Sequence, residues 1–470
     1  MNHEPPAENY KSNGDTMMQS LNPATGELLK EFQALSFEQA AVEVKKTRSV
    51  WQKWKTSKLS YRLEIIKHVG ENLKKNSKDY GRLMALEMGK PIKQGIAEAE
   101  KCASVCDYYC ANAKKFLKDK KVKTDAAKSY VSFEPMGVIL AIMPWNFPFW
   151  QAMRCAIPAL AAGNVVVLKH ASNVPQCALA LEELFRQSCL PEHCFKTLLI
   201  DGATATKLID ADLVDAVSLT GSNAAGQKVG EAAGRNIKKV VLELGGSDPF
   251  IVLEDADVAA AAKIGAYARM INTGQSCIAA KRFIVIKKVA EEFQRLFVEE
   301  FKKLKMGDPL DETVTVGPLA REDLANEIDA LVNDAVSQGA TVLIGGKRAD
   351  RKGAYYEPTI ITNVKPTMRI SSEETFGPVA VLIIVDTEKQ AIQEANNTEF
   401  GLGASLWTKN TAKAKKLAHQ IDAGLVFIND FVKSDPRLPF GGVKKSGIGR
   451  ELSEYGIKEF MNAKSVVVKQ

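Results

Sequence analysis

Long apolar runs, a secretory leader and a disulfide framework are all absent from this chain of 470 residues. No stretch of about 18 or more apolar residues occurs, which argues against a membrane span. The start, MNHEPPAENYKSNGD, lacks the basic and then apolar order of a signal peptide, so we predict a disordered head over residues 1–17. Eight scattered cysteines in a chain of this length do not form a short secreted framework, and we expect reduced thiols in a cytoplasmic protein.

Histidine is scarce, with five residues in the chain. A cysteine hydrolase needs a histidine partner, and none of the five lies in a recognisable Cys–His motif. Cys102, Cys106 and Cys110 are spaced to share one helical face. Zinc is usually bound by close Cys pairs with further Cys or His ligands. We therefore favour small buried residues over a metal site and predict no bound metal.

Charge of one sign is not concentrated, because the net charge of +7 is spread among many acidic residues. The densest basic run is KKFLKDKKVK, residues 114–123. It is either a nucleic-acid patch or a solvated helix end and exposed connection, and we favour the second interpretation. We predict no nucleic-acid partner and no membrane partner.

What the sequence does contain is an alternation of helices and strands. Residues from 36 to about 118 have helical apolar spacing and begin with SFEQ, a capping box formed by Ser36 and Gln39. Short apolar runs then alternate with helical segments, and four of these runs are NVVVLKH, LVDAVSLTG, KKVVLELGG and DPFIVL. A second such series starts at RFIVIKK, after Cys277. This order predicts parallel sheets with helices on their faces.

Two segments fit neither series, SYVSFEPMGV (129–138) and KSVVVKQ (464–470). Both have the pattern of exposed strands, and exposed strand edges are usually paired. We predict that they form a small oligomerisation element.

Ligands of open α/β sheets bind beyond the carboxyl ends of the strands. In TGSNAAG, Gly221 permits a tight turn and Ser222 can cap a helix whose N-terminus suits phosphate. The segment is not GxGxxG, and a purely structural cap explains it equally well. In LELGG, Glu243 is either a general base at a strand end or a surface residue beside a turn.

Two further residues have the chemistry of a reactive site. Asn146 lies between aromatic and proline residues in MPWNFPFW and is either an oxyanion donor or a buried turn residue. Cys277 ends INTGQSC after a flexible bend, and it is either a nucleophile or a small apolar residue. Each motif is ambiguous alone.

Seven motifs occur together in a fixed order: PWNFP, VLKHAS, LTGS, LELGG, NTGQSC, EETFGP and PFGGVKKSGIGRE. This order, and the separation of Glu243 from Cys277, resembles the NAD(P)-dependent aldehyde dehydrogenase superfamily from about residue 20 to the last residue. The resemblance implies that Cys277 attacks an aldehyde, Asn146 holds the oxyanion and Glu243 activates water. A thiohemiacetal and a thioester on Cys277 are the implied intermediates.

The resemblance also implies the cofactor site. Its residues are expected to be Trp145, Lys169, His170, Ala171, Ser172, Gly221, Ser222, Leu244, Glu374 and Phe376. Trp145 and the KHAS loop would border the adenosine half, and Phe376 would lie beside the nicotinamide. NAD-preferring relatives often have Glu at the Ser172 position, whereas Ser172 beside Lys169 predicts NADP, with NAD use left open.

Arg154 makes the sequence similar to succinate-semialdehyde dehydrogenases, in which an arginine at this position binds the substrate carboxylate; a structural arginine is the alternative. Ser434 and Arg437 are further expected pocket residues. Some of these relatives have a second arginine where this chain has Ile271. The expected reaction is oxidation of succinate semialdehyde, with glutarate semialdehyde as an alternative substrate. A CoA-acylating enzyme and a non-catalytic binding protein are less favoured, because Glu243 and Cys277 are both present.

The implied fold is α/β, with a Rossmann-like cofactor domain, a second α/β catalytic domain and a small β oligomerisation element. The expected boundaries are 18–116 and 136–245 for the dinucleotide-binding domain and 246–448 for the catalytic domain. Residues 117–135 and 449–470 would form the oligomerisation element of a homodimer or homotetramer.

Overall fold

The computed structural model describes residues 17–469. The predicted head lies outside this range, apart from Met17. The strands are β1 (Met17–Leu21), β2 (Leu28–Gln33), β3 (Lys120–Lys121), β4 (Lys128–Pro135), β5 (Val138–Met143), β6 (Val165–His170), β7 (Phe195–Thr197), β8 (Ala216–Thr220), β9 (Lys239–Glu243), β10 (Pro249–Val252), β11 (Arg282–Ile286), β12 (Thr341–Ile344), β13 (Thr359–Thr362), β14 (Val379–Val385), β15 (Gly403–Trp407), β16 (Leu425–Ile428), β17 (Gly447–Ile448) and β18 (Met461–Val468).

The α-helices are α1 (Phe37–Trp54), α2 (Leu59–Lys75), α3 (Ser77–Met88), α4 (Ile92–Phe116), α5 (Pro148–Ala162), α6 (Pro175–Gln187), α7 (Gly202–Asp210), α8 (Asn223–Arg235), α9 (Val258–Met270), α10 (Lys287–Lys302), α11 (Glu322–Ser337), α12 (Arg369–Ser372), α13 (Glu388–Asn396), α14 (Thr411–Ala418) and α15 (Ser453–Glu459). A 3₁₀ segment covers Lys444–Ser446, and the short turn Ile271–Gly274 contains left-handed residues. Among the described residues, no helix combines the length and the apolarity that crossing a membrane requires.

The first sheet has the strand order β17-β9-β8-β5-β6-β7. Strands β5 to β9 are parallel, and β17 pairs with β9 in the antiparallel direction. From β5 the chain proceeds to β6 and β7 on one side and then returns to β8 and β9 on the other. Strands β5 and β8 are therefore neighbours at a topological switch point, where their carboxyl ends leave a crevice suited to a ligand.

The second sheet has the order β12-β13-β14-β11-β10-β15-β16. Its strands are parallel except for the pair β12 and β13. The order of apolar runs groups the DPFIVL segment with the first series, whereas the expected boundary at residue 246 assigns it to the catalytic domain. It forms β10 in the middle of this second sheet, and the edge of β9 in the first sheet is covered by β17.

The two unassigned segments pair with each other. Strand β18 lies antiparallel to β4 along its length, with Val466 opposite Tyr130, and the short β3 completes a three-stranded sheet. The prediction of two exposed strands is therefore confirmed, with the partner of each supplied by the other.

Local signals in the sequence correspond to the structure. The capping box at Ser36 and Gln39 starts α1. The basic run 114–123 covers the end of α4 and β3, and most of its lysines are exposed. Helix α5 is buried along its whole length, which explains its apolar composition and makes the charged Arg154 within it exceptional.

Candidate active site

The loop that carries Cys277 has an unusual backbone. Asn272 and Thr273 both have left-handed conformations, with φ of 53° and 56°, and Gly274 follows with φ of 76°. Such values are rare for a β-branched residue such as threonine, and they persist only where the surroundings enforce them. All three residues are buried. Three consecutive left-handed residues turn the chain sharply just before Cys277.

Hydrogen bonds from several elements hold this loop. The backbone N–H of Asn272 donates to the side chain of Gln94 on α4 (2.7 Å), and the Gly317 N–H donates to Thr273 Oγ1 (3.0 Å). The Ala320 N–H donates to Gln275 Oε1 (2.9 Å). Gly274 is necessary here, because a Cβ on it would lie 2.2 Å from the carbonyl oxygen of Gly377. The loop is therefore rigid, which suits presentation of a reactive group.

Cys277 is partly buried. Burial raises the pKa of its thiol to about 12, and the nearby Lys281 ammonium partly opposes this rise. Lys281 Nζ donates to the carbonyl oxygens of Cys277 (2.7 Å) and Ser276 (3.0 Å) and lies 3.2 Å from Glu374 Oε1. Lys281 thus connects the cysteine loop with Glu374.

Asn146 lies directly against the same loop. Its Nδ2 donates to the carbonyl oxygen of Gln275 (3.1 Å), and Asn272 Nδ2 donates to the carbonyl oxygen of Asn146 (2.7 Å). The amide retains a second N–H. Among the described residues, Asn146 Oδ1 has no hydrogen-bond partner although it is buried. Asn146 therefore lies beside the cysteine loop, and the oxyanion role that the resemblance implies for it stays a prediction.

Glu243 ends β9 as a buried carboxyl group, and neither of its oxygens has a hydrogen-bond partner among the described residues. Its pKa is raised well above the ordinary value by burial and by the nearby Glu451, whereas Arg154 opposes the rise. Glu451 itself contacts Arg154 Nε in a buried ion pair. The two glycines after Glu243 are required for close packing, since a Cβ on Gly246 would lie 2.7 Å from the Cys277 carbonyl oxygen.

A cavity of about 350 Å³ opens beside Cys277. Its lining includes Arg154, Ser434 and Lys101, together with Ile271. Arg154 also donates from Nη2 to Thr220 Oγ1 (3.3 Å) and lies over the Phe440 ring, so it has structural contacts as well as cavity exposure.

The structure does not bring Arg437 to this cavity, contrary to the sequence prediction. The residue does not line the cavity, and its side chain is 76% exposed. The physical reason is Asp435, whose carboxylate accepts hydrogen bonds from the Arg437 guanidinium and keeps it at the surface.

Several of the expected cofactor residues lie at the carboxyl ends of strands of the first sheet, with Trp145 after β5, Gly221 after β8 and Leu244 after β9. Ser222 caps α8 by accepting a hydrogen bond from the Ala225 N–H (3.3 Å), as predicted. A Cβ on Gly221 would meet nothing nearer than 3.7 Å, so this face is open to a ligand. Ser222 and Glu374 line one groove. Leu244 packs tightly on Gly226 of α8, and its N–H donates to the Ser446 carbonyl oxygen.

Trp145 and Phe376 contact each other edge to face, with ring centroids 5.7 Å apart. The sequence analysis assigns these residues to opposite halves of the cofactor. The two rings are neighbours in the structure, and their roles toward the cofactor stay predictions.

Lys169 and His170 of the KHAS segment end β6, and Ala171 and Ser172 follow it. Lys169 is partly buried, and no carboxylate of the described residues lies within 4 Å of its ammonium; Ser172 is exposed. The His170 ring is internal: Nδ1 accepts from the Ala171 N–H and Nε2 donates to the Pro148 carbonyl oxygen. Burial lowers the His170 pKa to about 4, so the ring is neutral. The side chain of His170 is therefore engaged within the protein and not with a ligand.

Sequence reasoning missed Lys101, Lys281 and Glu451. Lys101 lies four residues before Val105 in the apolar stripe of α4, and a charge on such a stripe is the signal that could have identified it. Glu451 ends a quoted motif, but its partner Arg154 is distant in sequence and only the folded structure reveals the pair.

Comparison with known proteins agrees with the fold and the motifs. The family model described as "Aldehyde dehydrogenase family" matches residues 10–466. A probable succinate-semialdehyde dehydrogenase [NADP(+)] of Synechocystis sp. is 49% identical over 447 residues, covering 95% of this chain and 98% of that protein. A succinate-semialdehyde dehydrogenase [NADP(+)] 1 of Mycobacterium bovis is 45% identical over 450 residues, with coverage of 95% and 98%.

Solved structures are also similar to this chain over nearly its full length. The structure of Gox0499 superposes with a TM-score of 0.95 at 40% identity, covering 96% of this chain and 99% of that one. Succinic semialdehyde dehydrogenase from Streptococcus pyogenes, in complex with NADP+, gives a TM-score of 0.94 at 36% identity, covering 96% and 100%. The predicted fold is confirmed, and the chain belongs to the aldehyde dehydrogenase family.

Proposed function

We propose that this protein oxidises succinate semialdehyde to succinate with NADP+. The observation that carries the proposal is the cavity in which Cys277 lies together with Arg154 and Ser434. A nucleophile for the aldehyde and cationic or hydroxyl donors for a carboxylate thus share one space. The names of relatives at 45–49% identity, which are succinate-semialdehyde dehydrogenases [NADP(+)], support the same substrate and cofactor.

Cys277 is the proposed nucleophile. The raised pKa means that the thiol must lose its proton before the sulfur attacks, and Lys281 and Arg154 favour the thiolate. Attack on the aldehyde carbon forms a carbon–sulfur bond and moves the carbonyl electron pair onto oxygen. The free N–H of Asn146 and the backbone N–H of Cys277 hold this oxyanion.

Residues around the crevice suit a dinucleotide. Ser222 and Gly221 offer a capped helix N-terminus beside open space for a pyrophosphate. Glu374, held by Lys281, suits a ribose hydroxyl. NADP+, when bound, supplies the hydride acceptor. Because Trp145 contacts Phe376, we propose that both rings lie at the nicotinamide half, which differs from the adenosine-side position that the resemblance implies for Trp145.

Lys169 and Ser172 support the choice of NADP+. Among the described residues, no carboxylate forms a close ion pair with the ammonium of Lys169, although Asp201 attracts it from farther away, and Ser172 brings no negative charge that would repel a 2′-phosphate. We therefore propose that both residues contact that phosphate.

Loss of hydride from the thiohemiacetal carbon leaves a thioester on Cys277, which water must cleave. Glu243 is the proposed general base, since its raised pKa makes it a stronger proton acceptor than an ordinary carboxylate. It takes a proton from water as the hydroxyl adds to the thioester carbon, and the thiolate leaves. Hydrolysis by this route distinguishes the proposed enzyme from a CoA-acylating relative.

One assay tests this function. NADPH or NADH formation is followed with succinate semialdehyde, glutarate semialdehyde and propanal, each with NADP+ and with NAD+ and without CoA. We expect the highest kcat/KM for succinate semialdehyde with NADP+. We also expect Arg154→Ala to reduce kcat/KM for both semialdehydes more than for propanal. Equal losses for all three aldehydes would show that Arg154 does not act on the carboxylate.

We also infer that the enzyme is a cytoplasmic homo-oligomer. The three-stranded sheet of β3, β4 and β18 supports the homo-oligomer, because β18 is a long edge strand with exposed valines at its end. This sheet is the proposed oligomerisation element.

A further inference from the structure

Lys101 is a charged residue of the cavity to which the proposed chemistry gives no role. It lies on α4 and is partly buried. Its Nζ donates to Ser434 Oγ (2.6 Å) and lies 4.3 Å from the centre of the Trp150 ring. These contacts hold the ammonium at one side of the cavity that also contains Cys277.

The charges around the cavity are unequally paired. The guanidinium of Arg154 contacts the carboxylate of Glu451, and Lys433 lies 2.6 Å from Asp430. Within residues 17–469, no carboxylate lies within 4 Å of Lys101 Nζ. Glu98, one turn earlier on α4, is occupied by Lys90 and by the N-terminus of α5. Lys101 is thus the cavity cation that lacks a counter-ion.

A hydroxyl group and an aromatic face stabilise an ammonium only weakly in a partly desolvated position. An anion bound in the cavity would supply the counter-ion that Lys101 lacks. Ser434 accepts its hydrogen bond from Lys101 and so keeps its own O–H free to donate. Lys101 and Ser434 together therefore present two kinds of donor to a carboxylate.

We propose that Lys101 is a specificity-determining residue that binds the terminal carboxylate of the substrate together with Ser434. This inference rests on the proposed function and adds a second cation, besides Arg154, that selects ω-carboxylated aldehydes. Ile271 lines the same cavity, so the nucleophile loop offers no second charged anchor. Helix α4 provides it instead.

The ionisation of Lys101 gives this site a pH dependence. Burial and, after it, the positive charge of Arg154 on α5 lower the pKa of Lys101 to about 8. Cys102 and Glu98 on its own helix and Asp435 beside Ser434 act in the opposite direction. The ammonium is present below this pKa and is lost as pH rises through it. Carboxylate binding should weaken over the same range.

The test compares succinate semialdehyde with its methyl ester, an aldehyde of similar length without the negative charge. The measured quantity is the ratio of their kcat/KM values. Lys101→Met should lower this ratio by about 10- to 100-fold, mainly through KM of the acid, because a charge-assisted hydrogen bond is removed. Lys101→Arg should restore much of the ratio. The matched control is Lys93→Met, an exposed lysine on the same helix outside the cavity.

The wild-type enzyme provides a second arm that requires no substitution. From pH 6.5 to 9.5 the ratio should fall through a midpoint near the pKa of about 8, and Lys101→Arg should abolish this midpoint. A ratio that stays flat with pH, or one unchanged by Lys101→Met, overturns the assignment even if succinate semialdehyde is a good substrate.

Binding of succinate, measured by calorimetry, separates the two proposals. If the enzyme oxidises neither aldehyde, the proposed function is rejected. The affinity for succinate would still test whether Lys101 binds a carboxylate. We expect Lys101→Met to weaken succinate binding and Lys93→Met to leave it unchanged. Equal affinities for wild type and Lys101→Met would reject the site.

Discussion

At the residue scale, two buried carboxyl groups share one cation. Glu243 and Glu451 are both buried, and Arg154 contacts Glu451 while it also influences Glu243. The negative charge of Glu451 raises the pKa of Glu243, because like charges close together disfavour ionisation. The basicity of Glu243, the proposed general base, thus depends on Glu451, which lies far from it in the sequence.

The pH profile should report this coupling. Glu243 acts as a base only when deprotonated, so hydrolysis should slow as pH falls through its raised pKa. Glu451→Gln removes the neighbouring charge and lowers that pKa. We expect the acid limb of the kcat profile to move to lower pH by about one unit. The control is Glu454→Gln, an exposed residue paired with Lys458. An acid limb that stays in place or moves to higher pH contradicts the coupling.

The sequence identifies Glu243 by its motif but not its pairing. Residue type and order are enough to predict Cys277, Asn146 and Glu243 as candidates. The partners Glu451 and Lys281 act through distances that depend on how the two sheets pack, which no local pattern contains. The prediction for Arg437 fails for the same reason. Arg437 is close to the cavity residue Ser434 in the sequence, but Asp435 holds its side chain at the surface.

At the element scale, the loop from Ile271 to Cys277 has strained backbone angles that the surrounding residues hold in place. The sequence NTGQ predicts a bend because it contains glycine. It does not predict the left-handed Thr273, since this conformation is enforced by Gly317 and other residues far along the chain.

Gly274→Ala tests the importance of this loop. The new Cβ would lie 2.2 Å from the Gly377 carbonyl oxygen at a backbone φ of 76°, so the loop must move. We expect kcat/KM to fall about 100-fold, because small displacements of a nucleophile have effects of this size. Gly339→Ala is the control: its φ is also positive, but a Cβ there meets nothing within 4 Å. Equal activity of the two variants would contradict a positional role for the loop.

Helix α5 depends on a carboxylate from α4. Glu98 Oε1 accepts hydrogen bonds from the N–H groups of Phe149 and Trp150 (both 2.9 Å), and its other oxygen contacts the buried Lys90. A negative charge at a helix N-terminus is favourable. Because α5 begins just after Asn146, this contact also fixes the position of the oxyanion donor.

Glu98→Gln should destabilise the protein by about 3–5 kcal/mol, since it leaves the Lys90 ammonium buried without a partner. The midpoint of thermal unfolding measures the effect. The double variant Lys90→Met with Glu98→Gln should recover part of the loss. Glu100→Gln, an exposed residue on the same helix, should have no effect. A double variant less stable than Glu98→Gln alone would argue against the unpaired charge as the cause.

At the scale of the whole molecule, the sequence predicts the order of strands and helices, but it does not always predict to which sheet a strand belongs. Alternating apolar and helical segments predict two parallel sheets, and both are present. Strand β10 lies in the second sheet, and the edge of the first is covered by β17, a pairing between residues far apart in the chain. The pairing of β4 with β18 is equally non-local.

The three-stranded sheet leads to a prediction about assembly. Val467 on the edge strand β18 is 59% exposed. If this edge pairs with another copy of the chain, Val467→Asp should shift the mass in sedimentation velocity towards the monomer. Val336→Asp, at an exposed position on α11, is the control. An unchanged mass for Val467→Asp would indicate that the sheet does not mediate assembly.

The most direct test of the whole account is the intact mass of the Glu243→Gln variant after mixing with NADP+ and succinate semialdehyde. Without its general base the enzyme should form NADPH, retain the acyl group and gain the mass of one succinyl group, which peptide mapping should locate on Cys277. Formation of NADPH with no adduct, or an adduct on any other residue, would contradict a mechanism through a Cys277 thioester.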